Sequence, residues 1–365
     1  MNLKNFLLFF NKNKKIIILC SLILLGIFLI VFLSYLFFVH QNSGKDFSDL
    51  KIFSNYNGEK KACEKHLAIS GECIGDDSLE FPPIAAVMIE NHSDSRPQAG
   101  LSDAPIVFEA EVEGHITRFL AIFPLGTSLN TEKIGPVRSA RPYYLDWAKE
   151  FDSLYAHVGG SPEALEKIDV YNVEDLDQFF WSNYFWRSND RYAPHNVYTS
   201  LDLLVQAAEK KNINLKSESE YGAWKFKEDL KKEERPLNVK DLIINFSSGI
   251  TYKVAWKYDL ENNNYIRYIA DDKHLAENGA EIKANNICIV FTDFEAIDNE
   301  GRLSMETIGK GKAIVFQDGK TISASWEKKS MNERLRFFDS DNKELEFNAG
   351  KTWIEVVNDN VDIEY

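Results

Sequence analysis

The chain has 365 residues, 44% of them apolar and 13% aromatic, enough to bury a sizeable core and to exclude global disorder. With 42 Lys and Arg against 56 Asp and Glu, the formal charge is −14. That is the opposite of a nucleic-acid binder's balance, so no nucleic-acid partner is expected. The charge is unevenly spread: residues 1–40 hold Lys4, Lys12, Lys14 and Lys15 and no acid, which leaves 38 basic against 56 acidic residues, or −18, in the remainder.

From Ile16 to Val39 there are 24 positions without a charge, long enough to span a hydrocarbon core of ~30 Å. A cleaved signal peptide would have an apolar region of ~7–15 residues and then a small-residue cleavage site. Tyr35 to Val39 supplies no such site, so the expectation is an uncleaved transmembrane helix. Cys20 follows bulky Leu19 at the start of the run, a poor setting for lipid attachment. Lys12, Lys14 and Lys15 flank the N-terminal side, so the positive-inside rule predicts a single-pass protein of the cytoplasmic membrane. Its N-terminus would be inside and residues 41–365 extracytoplasmic. Residues 41–80 read as a polar tether. Within it, Cys63 and Cys73 would bridge in an oxidising compartment; two free thiols, or a metal site with His66, are the alternatives. Cys288, in NICIVF, reads as a buried thiol.

Apolar runs then begin. IAAVMIEN (84–91), APIVFEAEV (104–112), ITRFLAIF (116–123) and SLYAHVGG (153–160) predict strands. ARPYYLDWAKEF (140–151), SPEALEKI (161–168) and TSLDLLVQAAEKK (199–211) predict helices, with Ser161-Pro162 and Thr199 or Ser200 as N-terminal caps. Interleaved strands and helices predict an α/β layered domain over 81–205. Residues 206–240, dense in Lys and Glu, predict a solvated connector. From 241 to 365 short strands separated by turns such as Asp318-Gly319 predict a β-rich sandwich or barrel. The expected fold class is thus mixed α+β: a transmembrane helix, an α/β layered domain, then a β-rich C-terminal domain.

Lys is the chain's usual cation, 31 against 11 Arg, yet residues 90–200 hold six Arg (96, 118, 138, 141, 187, 191) and three Lys. Arg offers a planar donor fork for carboxylate or phosphate, and four of seven His (92, 115, 157, 195) share the window. The choice is between an anion-recognising cleft and internal pairing with Glu90, Glu109, Glu111 and Glu113. Those last three alternate, so they would share one strand face. Arg138 and Arg141 lie near a predicted helix start, which already favours anions; the alternative is a turn whose Arg pair caps carbonyls. In HVGGSP, Gly159 and Gly160 would let backbone approach a ligand. His157 is a candidate acid/base there, and Ser161 a candidate nucleophile or, more simply, a helix cap. In APHN, His195 is a second acid/base candidate beside Asn196 and Arg191. The spacing shows no tight metal motif, and Mg²⁺ held by acids and a substrate phosphate remains open.

The segments IAAVMIEN, RPQAGLS (96–102), EAEVEGHITRF, IGPVRSARPYY, HVGGSPEAL and RYAPHNVYTS, followed by GKGKAIVFQDGK, SWEKKS and GKTWIEVV, resemble the YerB-like family of domain-of-unknown-function 3048, N- and C-terminal domains, over about residues 80–360. The resemblance implies two domains at the outer face of the cytoplasmic membrane. The family pattern has a second Gly where His115 stands, and its name implies a lipid-attached Cys, whereas this chain is expected to use a transmembrane helix. A looser similarity is to the LytR-CpsA-Psr envelope phosphotransferases, which implies a divalent cation and lipid-linked glycopolymer substrates. The expected function is therefore binding of an anionic envelope glycan or lipid-linked phosphate. Arg118, Arg138, Arg141, Gly159, Gly160, Ser161, Arg191 and Asn196 would form the site, and His157 or His195 would be the acid/base if there is chemistry. The alternatives are a non-catalytic adaptor for cell-wall synthesis proteins and a Mg²⁺-dependent phosphotransferase.

Overall fold

A run such as IAAVMIE is apolar at almost every position, which suits a strand covered on both faces. In the computed structural model, which describes residues 63–247 and 249–365, such runs build a ten-stranded sheet. Its strands are β1 (Ile84–Glu90), β2 (Ile106–Glu111), β3 (Thr117–Pro124), β4 (Leu154–His157), β5 (Glu174–Asp177), β6 (Asn286–Phe291), β7 (Gly309–Gln317), β8 (Lys320–Lys328), β9 (Arg336–Phe338) and β10 (Thr352–Val357). The spatial order is β9-β8-β7-β6-β10-β2-β3-β1-β4-β5.

Side chains alternate across this sheet. Val87, Ile89, Val107 and Phe119 enter one core, together with Leu204 and with Val254 and Trp256 of a second, six-stranded sheet built from residues between 242 and 364. Ala86, Met88, Phe108 and Leu120 enter the other, against Tyr143, Tyr144 and Trp147 of α1 (Pro142–Lys149) and Ala164 and Ile168 of α2 (Pro162–Val170). The third helix, α3 (Leu201–Lys210), covers the first face. Ser161 and Ser200 are the N-caps of α2 and α3: their hydroxyls accept from the Ala164 and Leu203 amides at 3.3 and 3.2 Å, satisfying N–H groups that a helix start leaves free.

The expected fold class needs correction in two respects. The α/β and β-rich halves share the ten-stranded sheet, although residues 242–364 also build a six-stranded sheet of their own. β10, from the C-terminal half, lies between β6 and β2 and pairs in parallel with both. A change of texture at residue 241 could not reveal this, because the pairing is made between strands far apart in sequence. The second correction concerns the membrane. Among the described residues no helix is long and apolar enough to cross a membrane. The longest, α3, has ten residues, about 15 Å at 1.5 Å per residue. The apolar run 16–39 lies outside the described residues. The transmembrane helix, the single-pass topology and the inside–outside assignment were read from that run and its flanking lysines, and no spanning helix among the described residues supports them.

The two halves are stitched by buried charge. Arg267 is fully buried and pairs with Glu109 of β2. It also meets the His274 imidazole at 2.6 Å, and His274 in turn reaches Gln98 at 2.9 Å. On the opposite face Glu150, just after α1, is closed in by Lys328 at 3.1 Å and Arg334 at 2.7 Å. The Cys63–Cys73 disulfide is formed, with Cα atoms 5.8 Å apart, while His66 Nδ1 lies 2.8 Å from the Gly71 carbonyl.

Candidate functional site

The Arg and His window gathers where β1, β4 and the 188–196 loop end, but most of its members are committed to partners inside the fold. Arg141, the residue before α1, forks onto Glu113 at 2.6 and 2.7 Å and gives a third bond to the Ala140 carbonyl. Burial alone would raise the Glu113 carboxyl; the Arg141 fork holds it below the usual range instead. Glu113 is in the turn after β2 rather than on the strand, so Glu109, Glu111 and Glu113 serve three different partners. Arg118 is buried and donates to the Ser139 carbonyl at 2.9 Å. Burial, then the neighbouring charges of Arg141 and Arg138, lower it to about 10. Arg191 donates to the carbonyls of Ser95 and Pro97.

His157 is fully buried. Its Nε2 lies 2.5 Å from Asp175 and its Nδ1 2.8 Å from the Gly159 carbonyl. Both ring nitrogens face oxygens, so neither is left for a ligand. Ser161 is a helix cap. Gly159 sits at φ +58°, and a Cβ there would meet the Phe179 ring at 3.0 Å; its amide donates to Asp177 at 2.9 Å. His195 does not join His157. Its Nδ1 lies 2.8 Å from Glu90, and the opposite oxygen of Glu90 accepts from Arg138 Nε at 3.0 Å.

What remains open is a cavity of about 580 Å³ lined by Arg138, Gly159, Gly160, Phe179, Phe180 and Arg187, among others. Arg187 is exposed but positioned. Asn196, itself buried, accepts from its Nη1 at 3.0 Å, and Gln178 accepts from Nη2 at 3.3 Å. Phe179 and Phe180 are 66% and 83% exposed, unusual for large rings unless a partner covers them. Sequence reasoning counted Arg187 in the Arg window without placing it at a site, and missed both rings. The FF pair in DQFFWSN was a usable signal, but nothing local shows that it is exposed. A second cavity, about 830 Å³, has Glu111 and His115 on its wall. His115 Nδ1 lies 2.7 Å from the Glu111 carboxyl, which burial pushes up and His115 partly restrains.

One metal-capable cluster stands out among the described residues. His92, Asp94 and His195 bring donor atoms within 4.8 Å of one another. Two imidazoles and one carboxylate suit a borderline ion such as Zn²⁺ better than the all-oxygen, octahedral preference of Mg²⁺, so this donor set does not favour the Mg²⁺ that the sequence left open.

With the geometry in place, the likeness to known proteins is specific. Residues 69–214 match the family described as "Protein of unknown function (DUF3048) N-terminal domain" and residues 242–354 its C-terminal domain. The chain belongs to the DUF3048 family. It is similar to a protein of Bacillus subtilis (strain 168) described as "Putative lipoprotein YerB", 38% identical over 283 residues, spanning 75% of this chain and 81% of that one. The crystal structure of YerB from Bacillus subtilis superposes with a TM-score of 0.73 at 32% identity, covering 82% of this chain and 99% of that one. Both halves of the DUF3048 chain thus supply strands to the ten-stranded sheet described above.

Proposed function

We propose that this DUF3048 protein is a cell-envelope binding protein that takes an anionic, partly apolar ligand into the Arg138–Arg187 cavity. A phosphate-bearing glycan or a lipid-linked phosphate fits that chemistry. The observation that carries the reading is the lining: two guanidinium forks and two exposed phenyl rings face one concavity. A fork recognises phosphate or carboxylate bidentately, and the rings offer apolar surface to a sugar face or a prenyl chain. The Cys63–Cys73 bridge and the "lipoprotein" in the relative's description favour an oxidising envelope compartment. Binding is favoured over phosphoryl transfer because His157 and Ser161 have their polar atoms committed within the fold.

The test is thermal stabilisation of the full-length protein by farnesyl pyrophosphate and by inorganic pyrophosphate. A ligand that binds only the native state must raise its stability. The expected result is stabilisation by the prenylated probe that Arg138→Lys with Arg187→Lys abolishes while the ligand-free Tm stays unchanged. Equal stabilisation of that double variant, or none of the parent protein, overturns the reading.

A further inference from the structure

We infer that His92, Asp94 and His195 form a site for a borderline divalent cation of the Zn²⁺ type, with Glu90 orienting His195. The inference does not require the anion cavity, although Glu90 also holds Arg138 on that cavity's wall.

Four observations converge. First, the donor set is two imidazoles and a carboxylate, with atoms within 4.8 Å of one another. Ligand atoms on a tetrahedral zinc lie about 3.3 Å apart, so the side chains must close by up to about 1.5 Å. Asp94 is mostly exposed and His92 about one-third exposed, and both can move that far by rotation. Second, the tautomers are already set. A carboxylate only accepts, so His195 Nδ1 donates its proton to Glu90 at 2.8 Å and Nε2 keeps its lone pair. A carboxylate behind a histidine, fixing ring and tautomer, is the usual arrangement behind metal-binding imidazoles. His92 Nδ1 carries a lone pair 3.8 Å from Asp94 Oδ2; it accepts from the Asp94 amide at 3.2 Å, a long bond that an ion at Nδ1 must displace.

Third, the two contributing loops are held together before any ion arrives. Arg191, four residues before His195, grips the carbonyls of Ser95 and Pro97, which follow Asp94. The Ser95 hydroxyl closes the His92 turn at 2.6 Å. The imidazoles of His92 and His195 lie stacked, centroids 4.9 Å apart and planes 16° from parallel, which keeps them adjacent but requires the part-exposed His92 ring to turn before both lone pairs meet one ion. Such positioning of donors by a supporting shell is what a binding site needs. Fourth, three protein donors at an exposed position leave a further coordination position for water or an external ligand, the pattern of reactive rather than structural zinc. The charges facing the site are Asp94 and Glu90 against Arg191 and Arg138, so the ion would not add to an already cationic pocket.

The experiment titrates ZnCl₂ alone into tag-free, full-length protein by calorimetry, and records the visible spectrum with Co²⁺ in its place. One ion per chain is expected, with the intense visible bands of low-coordinate Co²⁺ and no competition from excess Mg²⁺. His92→Ala and His195→Ala should each weaken binding by at least 10-fold and abolish the bands. Glu90→Gln should keep the bands while weakening binding about 10–100-fold, as loss of an orienting partner does. Absence of binding by the parent protein, or binding untouched by both histidine changes, overturns the inference. If His195→Ala unfolds the protein, His92→Ala decides, because its ring is partly exposed and its removal leaves the Glu90–Arg138 pair intact.

Discussion

Arg267 and Glu109 form an ion pair with no solvent exposure on either side chain, one residue from each family segment. The guanidinium also lies over the rings of Trp353 and Phe119, 4.9 and 5.6 Å from their centroids. Glu109 is held further by Thr117 at 2.6 Å and Asn91 at 3.3 Å. Removing one partner of such a pair leaves a bare buried charge, which costs about 3–5 kcal/mol. Glu109→Ala and Arg267→Ala should each lower unfolding stability in urea by that much. The pair Glu109→Leu with Arg267→Met should cost less than the two single changes together, because no charge is stranded.

Glu355 lies beside this pair, fully buried, accepting from Trp256 Nε1 at 2.8 Å. Burial, then the charge of Glu109, pushes its carboxyl well above the ordinary range, against the opposing pull of Arg267 and Trp256. In the unfolded chain it would ionise near pH 4.3. Between that pH and its raised native value the folded state binds the extra proton, so stability falls as pH rises. Glu355→Gln should therefore raise Tm at pH 8 relative to the parent protein and flatten the decline of Tm between pH 5 and 8. An unchanged slope would mean that Glu355 is not protonated in the fold.

Ser161 caps α2, and loss of such a cap costs about 1 kcal/mol. Ser161→Ala should show that loss in chemical denaturation and no change in stabilisation by farnesyl pyrophosphate. Abolished stabilisation with unchanged folding would restore a direct role for the hydroxyl.

Arg187 depends on Asn196 and Gln178 for its orientation. Arg187→Ala should weaken the prenylated probe by roughly 10-fold or more, on the scale of a charge-assisted hydrogen bond. Asn196→Ala should weaken it less, because the charge remains and only its aim is lost. Isothermal titration of the three proteins separates these effects.

The Cys63–Cys73 bridge closes a short loop, with a sequence separation of 10. Loop-closure entropy gives about 2–3 kcal/mol for that length. Replacing both cysteines by serine should lower stability by that amount, measured against the oxidised parent; a reducing agent should then affect only the parent.

The sequence by itself determined what short-range chemistry controls. The strands at 84–90, 106–111, 117–124 and 154–157 were legible because their apolar runs are continuous, and the three helices because Ser161-Pro162, Ser200 and the amphipathic spacing mark them. β5, with the sequence EDLD, was not legible, since nothing in four mostly acidic residues shows that it pairs with β4. The motifs at 84–91, 134–144, 157–165 and 191–200 were enough for the family. Tertiary structure alone decided which charges meet. Arg141 finds Glu113, Arg138 and His195 share Glu90, and β10 enters the sheet beside β2. Helical and strand periodicity repeat within a few residues, so they can be read locally. The partner of a buried charge is chosen by which distant segment removes both from water, and that choice turned the expected anion-binding Arg cluster into internal pairs with Glu90 and Glu113 and hydrogen bonds to carbonyls, with Arg138 and Arg187 facing the cavity.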